Sequence, residues 1–402
     1  MTADTEPGSI TQAWSPWRAD DVYAAYQGWR DQHGQVAWDD QAQSWFVVGY
    51  RAAREVLVGR DWSSDPMSSD VIRRMLEEQG IGDSAFGGSM LTADPPDHSR
   101  LRDSVRDVFT PNYVSALAPG IEAIAADTID SLPTGQPFDF MASIAKPFPI
   151  AVIAEWLALD LDTTRILWTE AAELVRLLDG VLQPGQSAPD MGALTALIAE
   201  FLPLAAARRE DPGDDLLSLL AVDTTLDLEE VVVNAILLAI AGHETTANML
   251  GNSMIRLLAE AEGGRLTDRI DLTAPEVVGE LFRLEGPAHA VGRTALRSHD
   301  LEGCTVEAGQ RVVVAIAAAN RDPDIFDDPD SFRIDRTEAP GHLSLGFGRH
   351  RCLGAALARL ETDTALRRVL DRDPILVGAP GTHRPSVILR GPQTVPMVFR
   401  AP

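Results

Sequence analysis

Residues 343–354 read Leu-Ser-Leu-Gly-Phe-Gly-Arg-His-Arg-Cys-Leu-Gly, and this stretch decides how the rest of the chain is read. It sets Cys352, one of two cysteines, in a glycine-rich loop beside basic residues and directly before a helix. That helix runs from about Gly354 to Leu370, with apolar Leu357, Leu360, Leu366, Val369 and Leu370 at helical spacing. Backbone N–H groups at a helix start, with Arg349 and Arg351 alongside, favour thiolate over thiol. Gly346, Gly348 and Gly354 let the backbone pass close under a flat ligand that side chains would obstruct. A lone cysteine is more commonly buried and inert, but these neighbours argue for a ligand.

A thiolate set under a flat ligand is what a sulfur donor to haem iron requires. The segment resembles the haem-binding signature of the cytochrome P-450 family, F-G-x-G-x-H-x-C-x-G. Gly346, Gly348, His350, Cys352 and Gly354 match, and Leu345 stands where the family usually has Phe. The resemblance implies that Cys352 is the axial ligand of haem b.

Three further segments carry the same resemblance. Ala241-Gly-His-Glu-Thr-Thr246 falls inside a long helix expected from about Asp227 to Glu262. Gly242 is a poor helix residue, and Thr245 and Thr246 can bond back to carbonyls one turn earlier, so a local bulge or kink is expected there. A glycine kept for packing is the plain alternative. The six residues are similar to the family's [A/G]-G-x-[D/E]-T-[T/S]. That implies that Thr245 holds the dioxygen being activated and Glu244 helps deliver protons to it. Glu280-Leu-Phe-Arg283 sets an acid and a guanidinium one turn apart among apolar neighbours, so a buried pair is expected. It resembles the family's structural E-x-x-R, with Asn320 to Pro323 and Phe332 to Arg336 completing the network. Asp94-Pro-Pro-Asp-His98-Ser-Arg-Leu-Arg102 opens a helix with His98 and Arg102 on one face, suited to an anion, although solvated charges are the plain reading. By resemblance His98, Arg102, Arg293 and His350 contact the haem propionates.

Composition agrees. The 402 residues, 45% hydrophobic, suffice for a large core, and the net charge of −26 argues against nucleic acid and anionic membranes as partners. Cys304 and Cys352 form neither a disulfide framework nor a zinc spacing. The polar start and the short apolar run Val231 to Ala241 suggest neither a signal peptide nor a membrane span, so a cytoplasmic, monomeric protein is expected. The pattern is mainly α with a minor β portion near both ends and no convincing linker, hence a single large domain of the P-450 fold.

The implied activity is a monooxygenase using O2, fed by a ferredoxin and an NAD(P)H-dependent reductase, because the chain shows no flavin or nicotinamide fingerprint. A peroxide-driven enzyme or a haem-binding sensor would not need the Glu244–Thr245 pair. Desaturation, epoxidation or carbon–carbon coupling would use the same cycle. By resemblance Met90, Leu178, Leu238, Ala241 and Val291 line an apolar pocket, with His289 and Gln393 as polar anchors, which suits a carbon-rich secondary metabolite. Residues 62–93 and Gly180 to Pro189 are expected to gate it. Arg100, Arg106, Arg349, Arg351, Arg359, Arg367 and Arg368 are expected to form a basic patch for an acidic ferredoxin, some of them paired with Asp103, Asp107 or Glu361.

Overall fold

Helix α11, Leu228–Leu258, organises the molecule, and its start is set by a capping box. The Asp227 carboxylate accepts from Glu230 N–H at 2.8 Å, and Glu230 accepts from Asp227 N–H at 3.0 Å. Both ends lie close to the sequence expectation. Apolar residues occur around nearly its whole circumference, as befits a helix buried on all sides. The computed structural model describes residues 22–78, 88–182, 191–260, 264–336, 340–383, 386 and 388–401, with only the backbone of Leu76 and of 177–182.

Before α11 come helices α1 (Val22–His33), α2 (Tyr50–Val58), α3 (Asp70–Glu78), α4 (Asp97–Asp103), α5 (Pro111–Ala116) and α6 (Ala118–Asp130). Then follow α7 (Pro147–Trp156), α8 (Leu161–Leu182), α9 (Gly192–Glu210) and α10 (Leu216–Val222). After α11 come α12 (Glu276–Glu285), α13 (Ile316–Ala319) and α14 (Ala355–Leu370). Helices α7, α8, α9, α10, α12 and α14 all pack on α11.

The strands are β1 (Val36–Asp39), β2 (Ser44–Val47), β3 (Trp62–Ser63), β4 (Phe138–Asp139) and β5 (Ala290–Ala295). They continue as β6 (His299–Leu301), β7 (Cys304–Val306), β8 (Arg311–Ala315), β9 (Pro374–Leu376) and β10 (Pro396–Phe399). A five-stranded sheet runs β1-β2-β8-β5-β3, with β2 parallel to β8 through Trp45↔Val312 and the other pairs antiparallel. This sheet ties the early strands to the late ones. A three-stranded sheet, β4-β10-β9, and the β6–β7 pair complete the minor β portion. Mainly α with a minor β portion is what the sequence implied.

The Glu280–Arg283 pair is buried, as expected, and fully satisfied. Arg283 has five N–H donors. It gives two to Glu280, at 2.8 and 2.7 Å, and three to the carbonyls of Asn320, Pro329 and Ser331, at 2.9, 2.7 and 3.1 Å. Glu280 also accepts from Arg336 and from Arg333 N–H, both at 3.0 Å. Asn320 carries the network onward, accepting from Leu343 N–H and donating to Ser344 Oγ, both at 2.7 Å. The pair therefore anchors the start of the cysteine loop.

Arg283→Lys keeps the charge but offers three donors, so at least two acceptors are left unmatched in a buried site. Unfolding by urea should show a loss of about 2–3 kcal/mol. An unchanged midpoint would mean that the network does not hold the fold.

Candidate active site

The cysteine loop is a tight hairpin. Gly346 N–H donates to Leu343 O at 2.8 Å, and Cys352 N–H donates to Leu345 O at 2.7 Å. Gly348, at φ +71°, is where glycine is required twice over: its backbone is left-handed, and a Cβ would fall 2.4 Å from Leu57 O of α2. Leu345, in the usual Phe position, packs partly buried against the apolar cluster that contains α14. Gly354 is the N-cap of α14, and a Cβ there would meet no protein atom within 4 Å.

Cys352 is solvent-accessible on this loop. The expectation that its surroundings depress the thiol pKa is corrected. Although the residue is exposed, desolvation by the protein atoms crowded around its sulfur pushes it up, outweighing the Gly354 N–H, Arg102 and Arg351, which pull the other way. Cys304 lies elsewhere, on β7, where its thiol contacts Val36 O at 3.5 Å.

Beside the loop sits a cluster of positive and imidazole groups, with His98 buried and His350, Arg102, Arg293 and Arg349 half-buried. The rings of His98 and His350 are 4.1 Å apart, and Nε2 of each is buried without a hydrogen-bond partner. Burial first, then Arg293, His98, Arg349 and Arg102, drives the His350 pKa down to about 2. His98 is lowered by burial, Arg102 and Arg349. Burial lowers Arg293 to about 10, against the pull of Asp94. Asp94 is itself engaged by Ser63 Oγ and by Ser64 N–H at 2.9 Å. Arg102 spends one donor on Arg351 O at 2.8 Å. Two imidazole donors and several guanidiniums thus converge where protein carboxylates are few. That set fits an anionic ligand with two carboxylates, as a haem presents.

On the other side of the site, α11 continues unbroken through Gly242, so the expected bulge does not form. Thr245 Oγ1 donates to Ala241 O at 2.6 Å, adding to the helical ladder without displacing it. Gly242 instead faces Ile153 of α7, where a Cβ would sit 3.6 Å away. Ala241 is exposed although it lies in the middle of a core helix, and Thr245 beside it is half-buried, while Glu244 is buried.

Of the pocket residues, Met90 and Leu238 are brought together in one apolar cluster, and Met90 N–H donates to Asn234 Oδ1 at 3.0 Å. Val291 is half-buried on β5. His289 is not a polar anchor. Its ring is 1% exposed and packs on Tyr23 and Tyr26 at 5.7 and 6.3 Å, and burial holds its pKa well below the usual value. Gln393 is exposed on a turn, its N–H bonded to Thr382 O, and does not join the cluster. The side chain of Leu178, and residues 79–87 and 183–189 of the expected gate, lie outside the described residues.

The expected basic patch is largely neutralised. Arg100 is held by Glu230 and Asp97, Arg106 by Asp103 and Asp107, Arg367 by Asp363 and Arg368 by Asp130. Arg359 bonds His342, and Arg349 turns toward Gly59 O. Arg351 is exposed. Glu361 pairs with none of them. It is 2% exposed on α14, bonds the Thr246 side chain, and is pushed by burial up to about 8 from 4.5. Its spacing was the missed signal: Leu357, Glu361 and Ala365 form one i, i+4, i+8 stripe, and an acid on a buried stripe is held neutral.

A group whose folded pKa is raised contributes stability that is lost as pH rises. The unfolded chain ionises Glu361 above about pH 4.5, so the cost grows from there until about pH 8. Glu361→Gln should therefore be more stable than the unmodified protein near pH 7, on the order of 3 kcal/mol, with no advantage below about pH 4. Thermal unfolding across pH checks this, and a pH-independent difference would contradict it.

Comparison with known proteins agrees with the fold. The Cytochrome P450 family model matches residues 271–372. The chain is 35% identical over 373 residues to the cytochrome P450 monooxygenase PikC of Streptomyces venezuelae, covering 89% of this chain and 85% of that protein. It is 32% identical over 368 residues to the 6-deoxyerythronolide B hydroxylase of Saccharopolyspora erythraea, covering 88% and 90%. The crystal structure of Mycobacterium smegmatis CYP164A2 superposes with a TM-score of 0.86 at 30% identity, over 98% of this chain and all of that one. Among the described residues no helix is long and apolar enough to cross a membrane. With the cysteine loop, the buried acid–arginine pair and the Glu244–Thr245 helix all in place, the chain belongs to the cytochrome P450 family and is an oxidoreductase of the monooxygenase type.

Proposed function

We propose that the protein binds haem b with Cys352 as its iron ligand and oxidises a carbon-rich, mainly apolar small molecule. The observation that carries this reading is the accessible thiol of a glycine hairpin next to two buried, unpartnered imidazole nitrogens among arginines. His98, His350, Arg102 and Arg293 would hold the two propionates, whose charge offsets the buried cations. A coordinating thiol is deprotonated by the metal itself, so the raised pKa of free Cys352 does not oppose ligation. Gly354, with open space where a Cβ would sit, gives the macrocycle room at the helix start. When bound, the haem supplies the activation of O2 for insertion of one oxygen atom into the substrate.

The chain's own residues do the rest. Glu244, buried beside Thr245, is the proton donor of the pair. The Thr245 hydroxyl, now on Ala241 O, can turn to donate toward the exposed face of Ala241. Met90, Leu238, Ala241 and Val291 would line the substrate space with apolar side chains, which suits a secondary metabolite. The relative named for 6-deoxyerythronolide B supports a substrate of that size and character. Electrons would come from a ferredoxin and its NAD(P)H-dependent reductase, docking on the cysteine side, where Arg351 is exposed. Desaturation, epoxidation or carbon–carbon coupling by the same site is the alternative outcome. The protein is proposed to act as a cytoplasmic monomer.

Cys352→Ser should abolish the red-shifted Soret band of the reduced carbonyl complex, whereas Cys304→Ser should leave it intact. A persisting band in Cys352→Ser would remove the central assignment. Thr245→Ala should bind haem normally yet divert most NAD(P)H into hydrogen peroxide, a drop in coupling of about tenfold. Undiminished product per NAD(P)H would exclude the role given to Thr245.

A further inference from the structure

Asn234 is a polar residue in the apolar run that opens α11, and the roles assigned so far leave it unused. It is 0% exposed, yet its amide is engaged mainly with a distant part of the chain. Nδ2 donates to Gly88 O at 2.6 Å and to Glu230 O of its own helix at 2.7 Å, while Oδ1 accepts Met90 N–H at 3.0 Å. The segment it grips is a compact turn: Thr92 and Ala93 N–H both donate to Ser89 O, at 3.2 and 2.9 Å. Gly88, at φ +71°, brings that turn so close to α11 that a Cβ would sit 3.4 Å from Glu230 Cγ. A second tie follows at Arg100, which gives two donors to the Glu230 carboxylate, at 2.9 and 2.6 Å. Residues 88–100 are thus fastened at both ends to the first two turns of α11.

Helical residues advance about 1.5 Å and turn about 100° each, so Asn234, Leu238, Ala241 and Thr245 fall within about 60° of one another around α11. Ala241 is exposed and Thr245 half-buried, and Asn234 ends the same stripe, about 10 Å along the axis from Ala241. Met90 and Leu238 share one apolar cluster there. We propose that Asn234 is a specificity-determining residue: by holding the 88–93 turn it sets the wall that closes the substrate space at this end, and so selects compact substrates over long extended ones. The inference rests on the reading that Met90, Leu238 and Ala241 line that space. Asn234 acts through Met90 and is a positioning residue. Its two bonds to the turn fix the wall more firmly than apolar packing would, because an outward step of the turn strands buried polar groups without partners. A residue that served its own helix alone would need only the Glu230 bond.

The test titrates the haem-loaded full chain with 1-alkylimidazoles, from 1-methyl to 1-dodecyl, following the Soret shift as the ring nitrogen meets the iron. In the unmodified protein affinity should rise about three- to fourfold per buried methylene, then level off at the chain length that reaches the wall. Asn234→Ser keeps a donor for Glu230 O but is too short to reach 88 and 90. It should leave 1-methylimidazole affinity within about twofold and move the break by about two methylenes or more to longer chains. Met90→Ala should move it likewise, and the double variant should go no further than the larger single change, since both act on one wall. A second measurement needs no ligand: hydrogen–deuterium exchange of the haem-loaded protein should show Met90 N–H exchanging about tenfold faster or more in Asn234→Ser. An affinity that climbs through the whole series, an unmoved break in Asn234→Ser, or additive shifts in the double variant overturns the proposal. If Met90→Ala also leaves the break in place, the reading of Met90 as a pocket wall fails with it. If Met90→Ala moves the break and Asn234→Ser does not, only this inference fails. Where Asn234→Ser does not fold, Gly88→Ala strains the same contact from the turn and must move the break in the same direction; an unmoved break there overturns the proposal equally.

Discussion

The buried bond between Glu280 and Arg283 is the constraint on which the rest depends. Two charges removed from water are tolerated only when every lone pair and N–H finds a partner, because an unmatched one costs several kcal/mol. Arg283 meets that condition by gathering three carbonyls from 320–331, and Glu280 by adding Arg336 and Arg333 N–H. The irregular chain over 320–336 thereby gains a fixed shape without regular secondary structure. Through Asn320 the same network takes hold of Leu343 and Ser344. On its far side the loop is pressed against α2, with room at Gly348 for hydrogen alone. Cys352 is positioned by these two restraints together with its own N–H bond to Leu345 O.

Charge is distributed in two opposite ways. The outer arginines Arg100, Arg106, Arg367 and Arg368 are spent on neighbouring carboxylates, which an acidic chain of net charge −26 supplies in plenty. The inner ones, Arg102 and Arg293, lie among imidazoles with little carboxylate to offset them. Exposed pairs contribute little to stability, so the outer set mainly fixes side chains in place. The inner set stores unfavourable electrostatics that an anionic ligand would relieve. Binding such a ligand should therefore stabilise the fold by more than the contacts alone suggest.

Much of this was legible because the motifs prescribe local geometry. The long helix, its capping box, the His98–Arg102 face and the partners of Arg283 follow from spacing and from which groups must be satisfied. Three expectations failed for a common reason: each depended on a neighbour from another element. Gly242 predicts a bulge only if nothing fills its side, and Ile153 does. Glu361 looks like a partner for helix arginines until α11 is placed against it. His289 reads as a pocket anchor until α1 brings Tyr23 and Tyr26 onto its ring. Cys352 shows the same limit in electrostatics, because helix start and arginines are visible in sequence whereas the opposing burial is not.

The polar run His243-Glu-Thr-Thr246 in the middle of a core helix makes physical sense only residue by residue. No amphipathic stripe could produce it, since four consecutive positions cover nearly the whole circumference. His243 faces α8, Glu244 lies at the turn between, Thr245 stands on the accessible side with Ala241, and Thr246 meets Glu361 of α14. Each polar group thus answers to a different neighbour, and removing any of those neighbours would leave a buried dipole or charge uncompensated. The arrangement also ties the alcohol to α14, which begins at the cysteine loop, so the two sides of the site are set by one continuous set of packed helices.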